Sequence, residues 1–305
     1  MVWKSWVRSL LMREAKQRLA SESLDTVTSD LKAATSLEAA VDVALIVNES
    51  AEAGSMLDLM TGVLKIHSQE FRLYRGLCEG RHVLVAQVSG DAARASRVTQ
   101  SVIRAHRPQW VIATGFAVPL KSQLKGQDLL MASRLVDTQG KCLKIDLDES
   151  AANTGAFQCG ALLTLDQLPT TENQRRSLGD THGADAADTT SLGIAEACRD
   201  AGVRCLVIRI VRENMEESPP REIQHSSKQK SASARLGSLV GGTLRRPGTV
   251  RDWFQHKQAA LNSADHLAAF LKGVIGHWLP LRPREESSDS SASSAENTPP
   301  PERDR

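Results

Sequence analysis

Leu206-Val207-Ile208-Arg209-Ile210-Val211-Arg212-Glu213 is the stretch on which the fold turns. A continuous, largely apolar run flanked by polar residues suits a strand covered on both faces, as in a parallel α/β sheet. A helical stretch over 191–201 precedes it, and an irregular, Pro-containing segment after Glu213 ends it. Ligands of such sheets bind beyond the carboxyl ends of the strands, which puts Glu213 where chemistry is usually done. Position alone equally allows a solvated charge at a strand end.

A second run has the same grammar. Val41-Asp42-Val43-Ala44-Leu45-Ile46-Val47 reads as a strand, and Asn48-Glu49-Ser50-Ala51-Glu52-Ala53-Gly54 follows at its carboxyl end. Two strands each ending in acids offer the pair that acid–base cleavage needs, one to protonate a leaving group and one to activate water.

The chain has 305 residues, room for one large α/β domain with a substantial core. A net charge of +2 and the lack of a basic stripe with interleaved aromatics argue against a nucleic-acid partner. The five cysteines, Cys78, Cys142, Cys159, Cys198 and Cys205, form no CxxC pair and read as reduced core thiols in a reducing compartment. The eight histidines are scattered, so no metal site is expected. No apolar run reaches membrane-spanning length. Trp3, Trp6, Val7, Leu10 and Leu11 share one helical face, with Lys4, Arg8, Arg13 and Lys16 elsewhere on the helix, a pattern open both to packing against the same chain or a second subunit and to contact with a membrane surface.

A polar helical arm over 1–40 is expected to lead into an alternating core. Strands are expected over 81–88, over 110–114 stopping at Gly115, and over 129–136 and 161–165. A helix over 92–105 presents Ala95, Val98, Val102 and Ile103 as its apolar stripe. Such alternation predicts a sheet with helices on both faces. The Thr-, Asn-, Gly- and Asp-rich segment 168–188 reads as a loop near the site. The charged segment 216–248 reads as a mobile connection within a 41–280 domain, and 281–305 as a disordered tail. A last amphipathic helix over 250–274 is expected to bury Trp253, Phe254, Leu261, Leu267, Phe270 and Leu271.

These pieces resemble the purine nucleoside phosphorylase and nucleosidase superfamily, and within it the methylthioadenosine/S-adenosylhomocysteine nucleosidase branch. The resemblance rests on Thr114-Gly115-Phe116-Ala117 through Leu124-Lys125-Gly126-Gln127-Asp128-Leu129-Leu130, where the family has a TGSAGG turn followed by LKVGDIV. A second match is Ser191-Leu192-Gly193-Ile194-Ala195 leading into Val207-Ile208-Arg209, where the family strand reads VVVRAISD. The resemblance implies a three-layer α/β/α nucleoside-phosphorylase-like fold around a twisted mixed sheet. It also implies hydrolysis of the N-glycosidic bond of a purine nucleoside, with no metal or organic cofactor. Purine nucleoside metabolism, methionine salvage, a homodimer and a cytoplasmic setting come with it.

The residue roles implied are equally specific. The family's water-activating glutamate falls on Glu52. Its base-protonating aspartate falls on Glu213, one methylene longer, and the small serine before it becomes Arg212. The glutamate that grips the sugar hydroxyls is replaced by Thr190, after Thr189 at a methionine position, and Asp188 lies two residues earlier as a stand-in. Gly115, in the TGSAGG-like turn, is expected to bind substrate together with Ser89, Asp188, Thr189 and Thr190. Ser89, in the turn matching an SGIGK segment, contacts nucleoside or water or simply forms the turn with Gly90. Phosphorylases of the superfamily carry a turn arginine after the first strand for phosphate, and 48–54 has none, which favours water as the acceptor. A nucleoside-binding or scaffold protein of the same fold, impaired in catalysis, is the alternative.

Overall fold

In the computed structural model, residues 40–67, 71–147, 155–217 and 247–280 are described. The expected arm over 1–40, all but its last residue, lies outside these residues. So do 218–246 of the expected connection and the expected tail over 281–305.

β1 (Val43–Val47) shows why the two apolar runs decide the architecture. All of its side chains are buried, alternately in two cores. Ala44 and Ile46 join a cluster with Val98 and Val102 of α2 (Ala92–His106) and Ile194 and Cys198 of α4 (Ser191–Asp200). Val43, Leu45 and Val47 join Ala53 and Met56 of α1 (Ser50–Asp58), and Leu267 and Leu271 of α5 (Pro247–Gly273). A strand with period-two side chains and no polar face must be covered on both sides. The fold is a three-layer α/β/α sandwich: α2 packs on α4 over one face of the sheet, and α1 on α5 over the other.

The sheet is mixed and ten-stranded. The other strands are β2 (Thr61–His67), β3 (Arg72–Cys78), β4 (Arg81–Gln87), β5 (Trp110–Pro119), β6 (Leu129–Val136), β7 (Cys142–Lys144), β8 (Gln158–Thr164), β9 (Ala186–Asp188) and β10 (Arg204–Val211). Parallel pairs join β1 to β4 and β5, and β5 to β10 in the register Leu206 opposite Ile112. β10 also pairs antiparallel with β6. Strands β5, β10, β6, β8 and β9 therefore close into a ring, while β1, β4, β3 and β2 run outward from β5.

Several expectations are corrected. β5 does not stop at Gly115 but continues through it to Pro119, with Gly115 at φ 135°. Segment 168–188 is not a loop throughout. It holds α3 (Glu172–His182), capped by the Thr171 side chain accepting from Gln174 N and ended by Gly183 at φ 61°, and then β9. Leu261 is exposed rather than buried, and Phe270 is half-buried, while Leu267 and Leu271 are core. The side chains of Trp253 and Phe254 lie outside the described residues. All five cysteines are free, but only Cys78 and Cys198 are buried; Cys142 and Cys159 are exposed on β7 and β8. Among the described residues no helix is long and apolar enough to cross a membrane.

Candidate active site

A cavity of about 710 Å³ opens where β1, β5, β9 and β10 end together. Glu52, Asp188, Thr189, Thr190, Arg212 and Glu213 all line it. Segment 166–170, just ahead of α3, forms a further wall.

Glu52 stands in the first turn of α1, three residues after its N-cap Glu49. One carboxylate oxygen accepts hydrogen bonds from Asn48 N and Glu49 N, both 2.8 Å, and the other accepts from Phe116 N, also 2.8 Å. Helix starts leave such N–H groups without intrahelical partners, and an acid at this position satisfies them. The side chain is only 4% exposed. Burial and the neighbouring Glu49 charge push its carboxyl up to about 7, against the pull of the backbone donors and Arg209. A carboxyl held there exchanges its proton closer to neutral pH than an exposed glutamate does.

Gly115 explains how the acid fits. A Cβ built there would lie 2.5 Å from Glu52 Oε1, and φ 135° is a conformation that favours glycine. Gly115 thus makes room for Glu52, whereas the cavity wall on that strand begins with Phe116.

Glu213 follows β10 and is held quite differently. Its carboxylate pairs with Arg175 of α3, a side chain with no exposed surface. The same guanidinium donates to Asn214 O at 3.0 Å and Met215 O at 3.3 Å, so it clamps the whole turn after the strand. From the other side Asn214 Oδ1 accepts from Gly126 N at 3.0 Å, tying Glu213 to the Leu124–Leu130 motif. Burial pushes the Glu213 carboxyl up, opposed by Arg175 and Arg212.

Asp188 and Thr190, which the resemblance sets on the sugar side, belong to a buried network. Asp188, at the end of β9, pairs through Oδ2 with Arg209 and accepts Ser191 N at 2.9 Å. Its Oδ1 accepts from Thr164 Oγ1 at 3.0 Å. Arg209 also donates to Thr190 Oγ1 at 3.1 Å, Ser191 Oγ at 2.7 Å and Thr114 O at 2.8 Å. Asp188 therefore lines the cavity with both oxygens already engaged, and Thr190 Oγ1 is an acceptor for Arg209. Thr189, half-buried, also faces the cavity.

The structure brings Glu52, Glu213, Asp188, Thr189 and Thr190 to one cavity. It leaves Ser89 aside: that residue is exposed, its hydroxyl donates to Asn48 O at 3.4 Å, and Gly90 is the residue of its turn that lines the cavity. Arg212 lies over the Phe116 ring, 5.6 Å to the centroid, and donates to Glu49 at 3.2 Å. Sequence reading missed Arg175. No sequence signal marks it: the buried positions of α3 are Arg175 and Gly179, four apart on an otherwise largely polar helix.

The model for the family described as Phosphorylase superfamily matches residues 42–245. The chain belongs to the phosphorylase superfamily. It is 24% identical over 195 residues to the aminodeoxyfutalosine nucleosidase of Helicobacter pylori strain J99, covering 54% of this chain and 85% of that relative. Among solved structures it resembles the 5′-methylthioadenosine/S-adenosyl homocysteine nucleosidase of Campylobacter jejuni, with a TM-score of 0.60 and 16% identity over 77% of this chain and 99% of that one. The futalosine hydrolase of Helicobacter pylori strain 26695 gives a TM-score of 0.58 and 19% identity over 78% of this chain and 97% of that one. The solved structures share the fold, and the three-layer arrangement around a mixed sheet is the one the resemblance implied.

Proposed function

We propose that the cavity hydrolyses the N-glycosidic bond of a purine nucleoside. The observation that carries this reading is that two buried carboxylates, from the ends of two different strands, open onto one cavity. Glu213 protonates the base as its bond to the sugar loosens, and burial, by raising its proton affinity, suits it to that task. Glu52 takes a proton from the attacking water, for which a carboxyl near 7 is well matched. The ionised Glu52 also stabilises positive charge developing on the sugar. The names of the relatives, a nucleosidase and a hydrolase among them, support the same chemistry.

Water is the acceptor in this reading. The turn over 48–54 carries no arginine to anchor phosphate, and the nearby Arg212 is engaged by Glu49. A cytoplasmic homodimer acting in methionine salvage belongs to the same proposal. The second reading, a nucleoside-binding protein without turnover, is favoured by the sugar-side network, where Asp188 and Thr190 are committed to Arg209. Incubation with a panel of purine nucleosides, with and without phosphate, separates the readings. Free base and free sugar without phosphate support hydrolysis; sugar 1-phosphate points to phosphorolysis, and binding without cleavage to the second reading.

A further inference from the structure

Arg175 is an unusual use of an arginine. It is fully buried, and its Nε has no hydrogen-bond partner among the described residues. A buried donor left unsatisfied is unfavourable, by about 1–3 kcal/mol. The next residue, Arg176, makes an ordinary surface pair with Glu172 one turn away. The other Arg175 nitrogens converge on one turn: one meets the Glu213 carboxylate, the other the carbonyls of Asn214 and Met215. That planar fork fixes both the position of the turn and the direction of the carboxylate.

We propose that Arg175 is a positioning residue that aims Glu213 into the cavity and sets its affinity for a proton. This rests on the role given to Glu213 above and names the group that tunes it. Arg212 precedes Glu213 on its own strand end, and Glu217 lies in the turn that follows, bonded to Asn214 Nδ2 at 2.6 Å. The packed turn beneath carries Lys125 and Asp128, and Asp128 is engaged by Gln158 at 3.1 Å. Asp166 on the wall ahead of α3, Glu49 and Glu52 at the start of α1, and Asp188 with Arg209 face the same cavity. Arg175 alone touches the carboxylate among these cations.

An opposite charge in contact lowers a carboxyl by about 1–3 units, so its removal lets the Glu213 carboxyl climb by that amount. A general acid works protonated. In Arg175→Met the alkaline limb of kcat/KM should therefore move up by about 1–3 pH units while kcat falls, because the carboxylate is no longer aimed. Arg175→Lys, which keeps the charge, should leave the limb near its wild-type position.

A second readout needs no nucleoside. A carboxyl whose folded value lies above its unfolded value loses stability as pH rises from the unfolded value through the folded one. Arg175→Met should lose more melting temperature between pH 5 and pH 8 than the wild type does. Arg175→Met/Glu213→Gln should show none of that extra loss. If Arg175→Met is too unstable to purify, Arg175→Gln carries the same expectations. The melting data test the pair even where no substrate turns over, so failure of the proposed reaction and failure of this inference remain separate. Equal pH dependence of melting in wild type and Arg175→Met, or a lysine variant that behaves as the methionine one does, would overturn the proposal.

Discussion

Glu52 and Glu213 end neighbouring parts of one sheet and open onto one cavity, yet they are held by opposite means. Glu52 is held by backbone: three N–H groups, two at the start of α1 and one on β5, converge on its oxygens. Glu213 is held by a side chain, the buried guanidinium of Arg175, arriving from a helix on another part of the chain. Burial raises both carboxyls: at Glu52 it is joined by the Glu49 charge and carries the group to about 7 against the backbone donors and Arg209, and at Glu213 it is opposed by the full charges of Arg175 and Arg212. An arginine brings a full charge and can be deleted by one substitution. The difference teaches that the contact opposing burial is written into the chain trace at one acid and into a side chain that one substitution removes at the other.

The largest expected effect comes from breaking the backbone-held side. Glu52→Gln should lower turnover about 10²–10⁴-fold, because an amide cannot take the proton from water. It should also lower the melting temperature. Both oxygens of Glu52 accept N–H groups, so the new NH₂ must face at least one donor, a loss of about 1–3 kcal/mol. Gly115→Ala should act through the same acid, since its Cβ would fall 2.5 Å from Glu52 Oε1. Displacing the carboxylate by about 1 Å should reduce kcat about a hundredfold.

The pH profile sharpens the comparison with a smaller effect. Glu52 works deprotonated, so kcat/KM should rise with pH through about 7, the value burial gives its carboxyl. Glu213→Gln should leave that acid limb in place while reducing turnover, and a limb that vanished with Glu213 would exchange the two roles. The smallest effect concerns the sugar. With Asp188 and Thr190 engaged by Arg209, ribo- and 2′-deoxyribonucleosides should differ less than about tenfold in kcat/KM, since no free buried acceptor is left unpaired when a hydroxyl is missing. Strong preference for ribose in steady-state kinetics would require Asp188 to exchange Arg209 for the sugar.

How much of this was legible in the sequence follows from what each element buries. β1, β10, α2 and α4 bury apolar side chains at regular period, so their positions and the acids at the strand ends could be read directly. α3 was hidden because its buried positions are an arginine and a glycine, and Leu178, only partly buried, makes no apolar period by itself. Gly115 read as a stop, yet here it permits β5 to pass close to Glu52 and continue. The sugar side was read as a loss of an acid at Thr190. The structure adds that Asp188, the nearest substitute, is drawn to Arg209 because a buried guanidinium requires a partner. Partnerships between charges far apart in sequence, such as Arg175 with Glu213, leave no periodic trace.

The most direct test of the central claim is a single-turnover reaction of the protein with a purine nucleoside in phosphate-free, ¹⁸O-labelled water, run beside Glu52→Gln. Hydrolysis at the Glu52–Glu213 cavity predicts one equivalent of free base, with the label on the anomeric carbon of the sugar, and a loss of about 10²–10⁴-fold in rate in the variant. Nucleoside bound by the wild-type protein with no base released, or release that proceeds equally fast in Glu52→Gln, would contradict it.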